Sequence, residues 1–576
     1  MRYQTALRPD SEKGEGEEGS ARVKHIRECR GSRGGGGNPR SRAGGRFLTL
    51  FVLLRAESVV RSLTLVLEGV LWFEQYGLMV KLLIPILLLS LPLAVPAELS
   101  TPSIFSDHMV LQRDQVNSIW GKADPGESVV VSVDGWSETV VADESGDWMA
   151  TLEPLPAGGP HSIVVAAGEE QMVIEDVLVG EVWICSGQSN MQWSVENSNH
   201  ADVELATASN DQIRLLTIPR NGTQEPQDDF EGSWQLADAD SVKNFSAVGY
   251  FFGKRLNQAL DVPIGLIDNS WGGSAIEAWI PRERLEEAGD FEAFLSDWDE
   301  RTAAYNDEIH EEKLREFRAW KDAGEPAPRL RYPQDPRFGQ HRPGNIFNGM
   351  VDPIIGYGIR GMIWYQGETN AGRAETYRTL FPLMISTYRE LWKQGDFSFY
   401  WAQLADFFDQ QEEPSDHPWS YLREAQSLTC SLPNTGEAVI IDTGEGNDIH
   451  PRDKQTVAYR LLRHALAKDY GFPMASESPR FLGMEVEGDI VTVTFDHVDK
   501  GLRAFDFDEV RGFSIAGAEK KFYWAKAKIV GKDRVELRSD FVADPMAVRY
   551  AWAVNPVANL HDRNGLPVTP FRTDED

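Results

Sequence analysis

Between residues 177 and 477, six short apolar runs alternate with stretches of helical periodicity, and few folds accommodate that rhythm. The runs span 177–185, 213–218, 264–267, 361–365, 399–404 and 438–441. Each has strand length and little polar alternation, the pattern of strands buried on both faces. Between them, a helix over about 376–393 would place Leu380, Met384, Tyr388 and Leu391 on one stripe. A second, over about 452–469, would align Val457, Leu461 and Ala465, with Gly471 as its stop. Strand–helix alternation predicts an α/β domain over 177–477, a mostly parallel sheet covered on both faces. The charged segment at about 283–345 reads as a helical insertion on the solvated surface. At roughly 100–200 residues per domain, a chain of 576 residues has room for further domains.

The flanks follow a different rule. Over 98–176, short alternating stretches are separated by turn signals: Asp124-Pro125-Gly126, Asp134-Gly135, Gly146-Asp147 and Pro156-Ala157-Gly158-Gly159. Over 478–576 the same style returns, with alternation at 490–495 and 547–554. Both flanks are expected to be β-sandwich-like modules, with support of the centre favoured and carbohydrate binding the alternative. Residues 1–78 are rich in Gly, Arg and Ser, and their apolar stretch at 47–70 is broken by Arg55, Glu57, Arg61 and Glu68. That spacing of charge argues against a membrane span. Residues 79–97 have a basic start, an apolar core and the small-residue end Val95-Pro96-Ala97, the three-part layout of a signal peptide. The expectation is a start at Met79, with 1–78 a disordered upstream extension. The mature protein would begin near Glu98, secreted or periplasmic and not membrane-bound; an uncleaved anchor helix is the alternative.

Composition narrows the function. The chain carries 57 Lys and Arg against 89 Asp and Glu, a net charge of −32. Such a surface repels phosphate backbones and anionic membranes, so no nucleic-acid partner is expected. Three cysteines, Cys29, Cys185 and Cys430, provide neither a disulfide framework nor zinc spacing. His310-Glu311-Glu312-Lys313 stops short of a HExxH metal motif, and no metal is expected.

In parallel sheets, ligands collect at the carboxyl ends of the strands. After the first run comes Cys185-Ser186-Gly187-Gln188-Ser189-Asn190-Met191, and after the third Asp268-Asn269-Ser270-Trp271-Gly272-Gly273-Ser274. Gln366-Gly367-Glu368-Thr369-Asn370 follows the fourth; Asp442 and then Asp448-Ile449-His450-Pro451 follow the last. Polar residues at strand ends are commonly caps and turns. Here a candidate nucleophile, two amide- and glycine-rich loops and an Asp/His pair all fall on one edge. A serine hydroxyl is a poor nucleophile unless a base takes its proton, and His450 is the natural base for Ser189. Gly187-x-Ser189-x-Met191 lacks the second glycine of the α/β-hydrolase elbow. Cys185 reads as a buried strand residue. Asp448, two residues before His450, is the favoured orienting acid, with Asp442 the competitor.

These blocks resemble those of the sialate O-acetylesterase family, a branch of the SGNH-type hydrolases. The resemblance also takes in Phe105-Ser106-Asp107-His108-Met109-Val110-Leu111-Gln112-Arg113 and Asn564-Gly565-Leu566-Pro567-Val568-Thr569-Pro570-Phe571-Arg572. It implies a flavodoxin-like SGNH hydrolase domain and an esterase that removes acetyl groups from sugar hydroxyls without metal or cofactor. It further implies an oxyanion hole of the Ser189 N–H, a backbone N–H at Gly272 or Gly273, and the Gln366 side chain. Gln188, Asn190, Glu368 and Asn370 of the same blocks, with Trp193, are expected to contact the substrate; Trp193 could instead fill the core. Many SGNH enzymes carry their Asp three residues before the histidine, where this chain has Asn447. The substrate is expected to be acetylated sialic acid or a related glycan, with acetylated plant or algal polysaccharide equally compatible. A catalytically silent glycan-binding protein is the reading from a different class. The oligomeric state is not legible.

Overall fold

The computed structural model describes residues 98–574. The sequence expectations for residues 1–97 lie outside them. The molecule is organised on one 18-residue strand, β1 (Glu170–Gly187). Its first half belongs to the N-terminal module, where it pairs antiparallel with Gly158–Ala167. That strand pairs in turn with Ser128–Val133, which forms a hairpin with Trp136–Val141. The hairpin turns at Asp134-Gly135, both at positive φ, as a two-residue turn of this hand requires. A separate strand pair, Asn117–Lys122 with Asp147–Leu152, brings Ile119, Trp148 and Leu152 into the same core as Val129, Val131 and Val165. β1 passes residues 176 and 177 without a break, so the expected module boundary falls inside a strand.

The second half of β1 is the centre of the parallel sheet. The chain continues through α1 (Ser189–Gln192), β2 (Asn210–Thr217), β3 (Gln235–Ala237), α2 (Ala247–Leu260) and β4 (Ile264–Ser270). An insertion of three helices follows: α3 (Arg282–Ala288), α4 (Glu292–Ala303) and α5 (Asp307–Asp322). Then come β5 (Gly361–Tyr365), α6 (Ala374–Trp392), β6 (Ser398–Ala402), α7 (Pro418–Leu428), β7 (Thr435–Ala438) and α8 (Lys454–His464). The strand order is β7-β6-β5-β1-β4-β2-β3, with antiparallel pairing only at the β2–β3 edge. This is a mixed α/β architecture with a largely parallel central sheet, as the apolar runs predict.

Alternation along the strands divides the core. Val182 and Ile184 of β1 join Met362, Trp364, Phe399 and Trp401 under α6, whose Leu380, Met384 and Tyr388 are all fully buried. Trp183 and Cys185 face the other way, with Tyr365 and Tyr400 under α2 and α8. The last run is displaced from its predicted place. The sheet takes Thr435–Ala438, while Val439 and Ile441 pack into the core of the C-terminal module. Apolarity marks burial, and here two burial partners compete for consecutive residues. Glu437 sits within β7 because Ser427, Gln403 and Arg480 hydrogen-bond its carboxylate.

The C-terminal residues form two four-stranded sheets and one strand pair around Val491, Val493, Phe495, Phe513, Ile515, Val535 and Val548. The alternation expected over 547–554 stops at Ala547–Tyr550. Ala551 takes a positive φ and turns the chain away. The carbonyls that follow meet Arg423 of α7. This guanidinium is fully buried and donates to the carbonyls of Leu404, Ala405, Ala553 and Val554 at 2.6–3.1 Å. Burial pulls its pKa down to about 10. Arg423→Met would strand four buried acceptors and should cost about 3–5 kcal/mol of unfolding free energy, measured as a lower urea midpoint. A midpoint within error of the parent would show that the two segments need no such clamp.

Candidate active site

β1 and β5 end side by side, and Gly187 makes the turn between β1 and the serine. Its φ is +138°, and a Cβ there would lie 2.2 Å from the Tyr365 carbonyl oxygen. Only glycine allows this approach. Ser189 then opens α1, half-buried, at a helix start where Gln188 supplies no side-chain cap. The first N–H groups of a helix lack intrahelical partners, so they are available to a developing negative charge.

The glycine turn after β4 lies against this serine. A Cβ on Gly272 would be 3.4 Å from that of Ser189. The Gly272 N–H donates to Gln192 Oε1 at 2.7 Å, so this expected oxyanion donor is already engaged. The Gly273 N–H makes no hydrogen bond among the described residues. Its carbonyl accepts from Thr369 Oγ1 (3.1 Å) and His341 Nε2 (2.8 Å). His341 arrives from the end of the insertion, a contact without a motif of its own in the sequence.

His450 is half-buried and stacks on Trp193, with ring centroids 4.9 Å apart and planes 15° apart. Asp448 Oδ1 accepts from the His450 backbone N–H at 2.9 Å and lies 3.5 Å from the ring Nδ1. Burial, reinforced by the Lys454 charge, holds the imidazole below its ordinary pKa, against the pull of Asp448. Asp442 is occupied elsewhere. Arg460 grips both its oxygens at 2.5 and 2.7 Å, and His561 Nε2 donates to it at 3.2 Å. Burial raises the Asp442 pKa, but the Arg460 and His561 bonds outweigh it and hold the carboxyl well below the usual carboxylate range.

Several side chains expected to face ligand are internal braces instead. Gln366, expected as an oxyanion donor, is fully buried: its amide donates to Ser274 O (3.1 Å) and Asn370 Oδ1 (2.8 Å), and its Oε1 accepts from Tyr377 (3.0 Å). It has no N–H left for an oxyanion. Asn370, expected to contact substrate, accepts from the Ile276 N–H and donates to Glu277. Gln188 accepts from the backbone N–H groups of Gly367 and Thr369. Asn190 donates to Glu368 Oε1 (2.6 Å) and the Ile449 carbonyl (3.0 Å) and accepts from Lys454 Nζ (2.6 Å). Glu368 keeps its Oε2 buried without a partner among the described residues, and burial raises its pKa. One reason covers the four amides. Strand-end loops that pack together bury their polar groups, and buried polar groups must bond one another. Of the five residues expected to contact substrate, Trp193 is partly exposed and stacks on His450, while its Nε1–H donates to the Asn197 carbonyl at 3.0 Å.

Sequence reasoning missed Gln192 and Lys454. A signal for Lys454 existed: it lies on the stripe of Val457, Ala458 and Leu461, where a lysine stands out. Among the described residues, no three of His, Cys, Asp and Glu gather as a metal-ligand set, and no helix is long and apolar enough to cross a membrane.

Residues 179–313, which include the end of β1, α1 and the Gly272-Gly273 turn, match the family described as carbohydrate esterase, sialic acid-specific acetylesterase. Sheet, strand-end loops and this match define the class: a carbohydrate esterase. The chain is 30% identical over 520 residues to the sialate O-acetylesterase of Mus musculus, covering 81% of this chain and 93% of that one. Against the Homo sapiens enzyme the identity is 31%, with 81% and 91% covered. A solved carbohydrate acetylesterase from Xanthomonas citri superposes with a TM-score of 0.71 at 36% identity, over 83% of this chain and 100% of that one. The chain belongs to the sialate O-acetylesterase family, and it is an ester hydrolase rather than a silent glycan-binding protein.

Asp442→Asn should lower stability by about 1–3 kcal/mol while leaving kcat within a few fold. Because folding lowers the Asp442 pKa, its contribution is full above about pH 4 and fades as the pH falls further. Chemical denaturation at several pH values should show the variant losing less stability on acidification than the parent. An inactive, fully stable variant would reverse this assignment.

Proposed function

We propose that the protein is a serine-dependent carbohydrate O-acetylesterase with an SGNH-type hydrolase domain, acting on O-acetylated sialic acid, its two β modules serving as scaffolding. One observation carries the reading. Asn190, next to Ser189, bonds the carbonyl of Ile449, next to His450, so nucleophile turn and base loop are fastened together by a 3.0 Å hydrogen bond.

Ser189 Oγ attacks the acetyl carbonyl carbon while His450 takes its proton. The resulting oxyanion is met by the N–H groups of Ser189 and Gly273, and by that of Gly272 once Gln192 yields it. Collapse expels the sugar oxygen, which leaves as the alcohol with the proton from His450. Water, deprotonated by His450, then attacks the acyl-enzyme, releasing acetate and restoring Ser189. Asp448 stabilises the imidazolium formed in each half. The depressed His450 pKa keeps the base form populated under mildly acidic conditions, so the acid limb of kcat/KM should lie below pH 6.5. The substrate assignment rests on the match to a sialic acid-specific family and on the names of the relatives.

Ser189→Ala should fold normally and lose on the order of 10³-fold or more in kcat, with a residue of activity from the oxyanion donors. Acetate release from an O-acetylated sialoglycan, an acetylated xylan and p-nitrophenyl acetate checks both parts. Near-normal turnover by folded Ser189→Ala would remove the nucleophile assignment. A higher kcat/KM on xylan would remove the substrate assignment and leave the mechanism standing.

A further inference from the structure

Lys454 is the first residue of α8 and is fully buried, an unusual place for an ammonium. It forms no direct ion pair among the described residues. Its Nζ donates to Asn190 Oδ1 at 2.6 Å and lies 5.8 Å over the Trp193 ring and 5.3 Å over that of Tyr365. All three neighbours belong to the site: Asn190 follows Ser189, Trp193 stacks on His450, and Tyr365 supplies the carbonyl against Gly187. The Asn190 amide is thereby polarised in one sense. With Oδ1 held by an ammonium, both Nδ2 hydrogens face Glu368 and the Ile449 carbonyl.

We propose that Lys454 is a positioning residue for the esterase reaction, fixing the Asn190 amide so that it anchors the His450 loop to the nucleophile turn. The inference rests on the Ser189/His450 reading above and adds a residue that touches neither reacting atom. Desolvation draws the pKa of Lys454 down to about 7, and the negative charges of Glu368, Asp448, Glu445 and Asp453 oppose that shift. His450 is the titrating neighbour on which this charge acts, opposed by Asp448.

A merely structural lysine and a positioning lysine give different kinetics. In Lys454→Met, which keeps the length and removes the donor, kcat should fall by about 10–100-fold with KM within threefold, since slight misplacement of a base is costly. The acid limb of kcat/KM should also move to higher pH, because a positive charge facing His450 is gone. Asn190→Asp provides the second test where Lys454→Met fails to fold. It keeps the volume and the Lys454 partner but replaces the donating Nδ2 with an acceptor facing the Ile449 carbonyl. Its kcat should fall by the same order. Both are measured on p-nitrophenyl acetate beside the parent and Ser189→Ala, so that a parent dependent on Ser189 separates failure of this proposal from failure of the mechanism. A folded Lys454→Met with unchanged kcat and an unmoved acid limb overturns the proposal, as does unchanged kcat in Asn190→Asp.

Discussion

Hydrogen-bond ladders on both sides of β1 are the interaction on which the rest of the structure depends. From Glu181 to Gly187 this strand pairs in parallel with β4, and from Trp183 to Gly187 with β5. Both ladders run to the last residue before the serine turn. The end of β1 therefore has no freedom to shift, and Ser189 inherits its position from two neighbours rather than from its own loop. The same strand, one stretch earlier, pairs antiparallel with Gly158–Ala167 and, at Leu178–Gly180, in parallel with Val110–Gln112. That module is thus part of the frame holding the serine turn.

Around that fixed point, the site is stabilised by internal polar bonds rather than by apolar packing. Gln188, Asn190, Gln366 and Asn370 knit three strand-end loops together beneath the serine, each close to fully buried. Such a network is stable only when every member is satisfied, and it then admits one arrangement. Its electrostatics are uneven. Burial lowers the pKa of Lys454, and the negative charges of Glu368 and of the more exposed Asp448 oppose that shift. Burial first, and then the Lys454 charge, lowers the pKa of His450, and the adjoining Asp448 opposes both.

Much of the fold was legible because strands covered on both faces leave unbroken apolar runs, as at 361–365, and amphipathic helices leave stripes, as with Leu380, Met384 and Tyr388. Legibility failed where one apolar run served two cores, at Val439 and Ile441, and where a polar residue such as Glu437 lay inside a strand. At the site, residue types and chain order identified the four loops, and the proximity of Asp448 to His450 followed from their spacing. The direction in which an amide faces did not. Gln366 and Asn370 read as ligand-facing because sequence shows that a side chain can donate, and only tertiary packing shows which donors are already taken. Gln192 lies in no motif, and Lys454 showed itself only as a lysine on the apolar stripe of its helix, a signal that does not say which neighbour it bonds.

The attachment of the C-terminal module has a consequence for the timing of synthesis. Arg423 is bonded to the carbonyls of Ala553 and Val554, and Asp442, at the head of the loop that carries His450, is bonded to His561. Domains generally fold in the order in which they leave the ribosome. The sheet and the serine turn can therefore be in place while the His450 loop still lacks its outer support. The support of the His450 loop is complete only once His561 has emerged, and a product ending before that residue would carry a formed sheet and serine turn beside a loop without its outer brace.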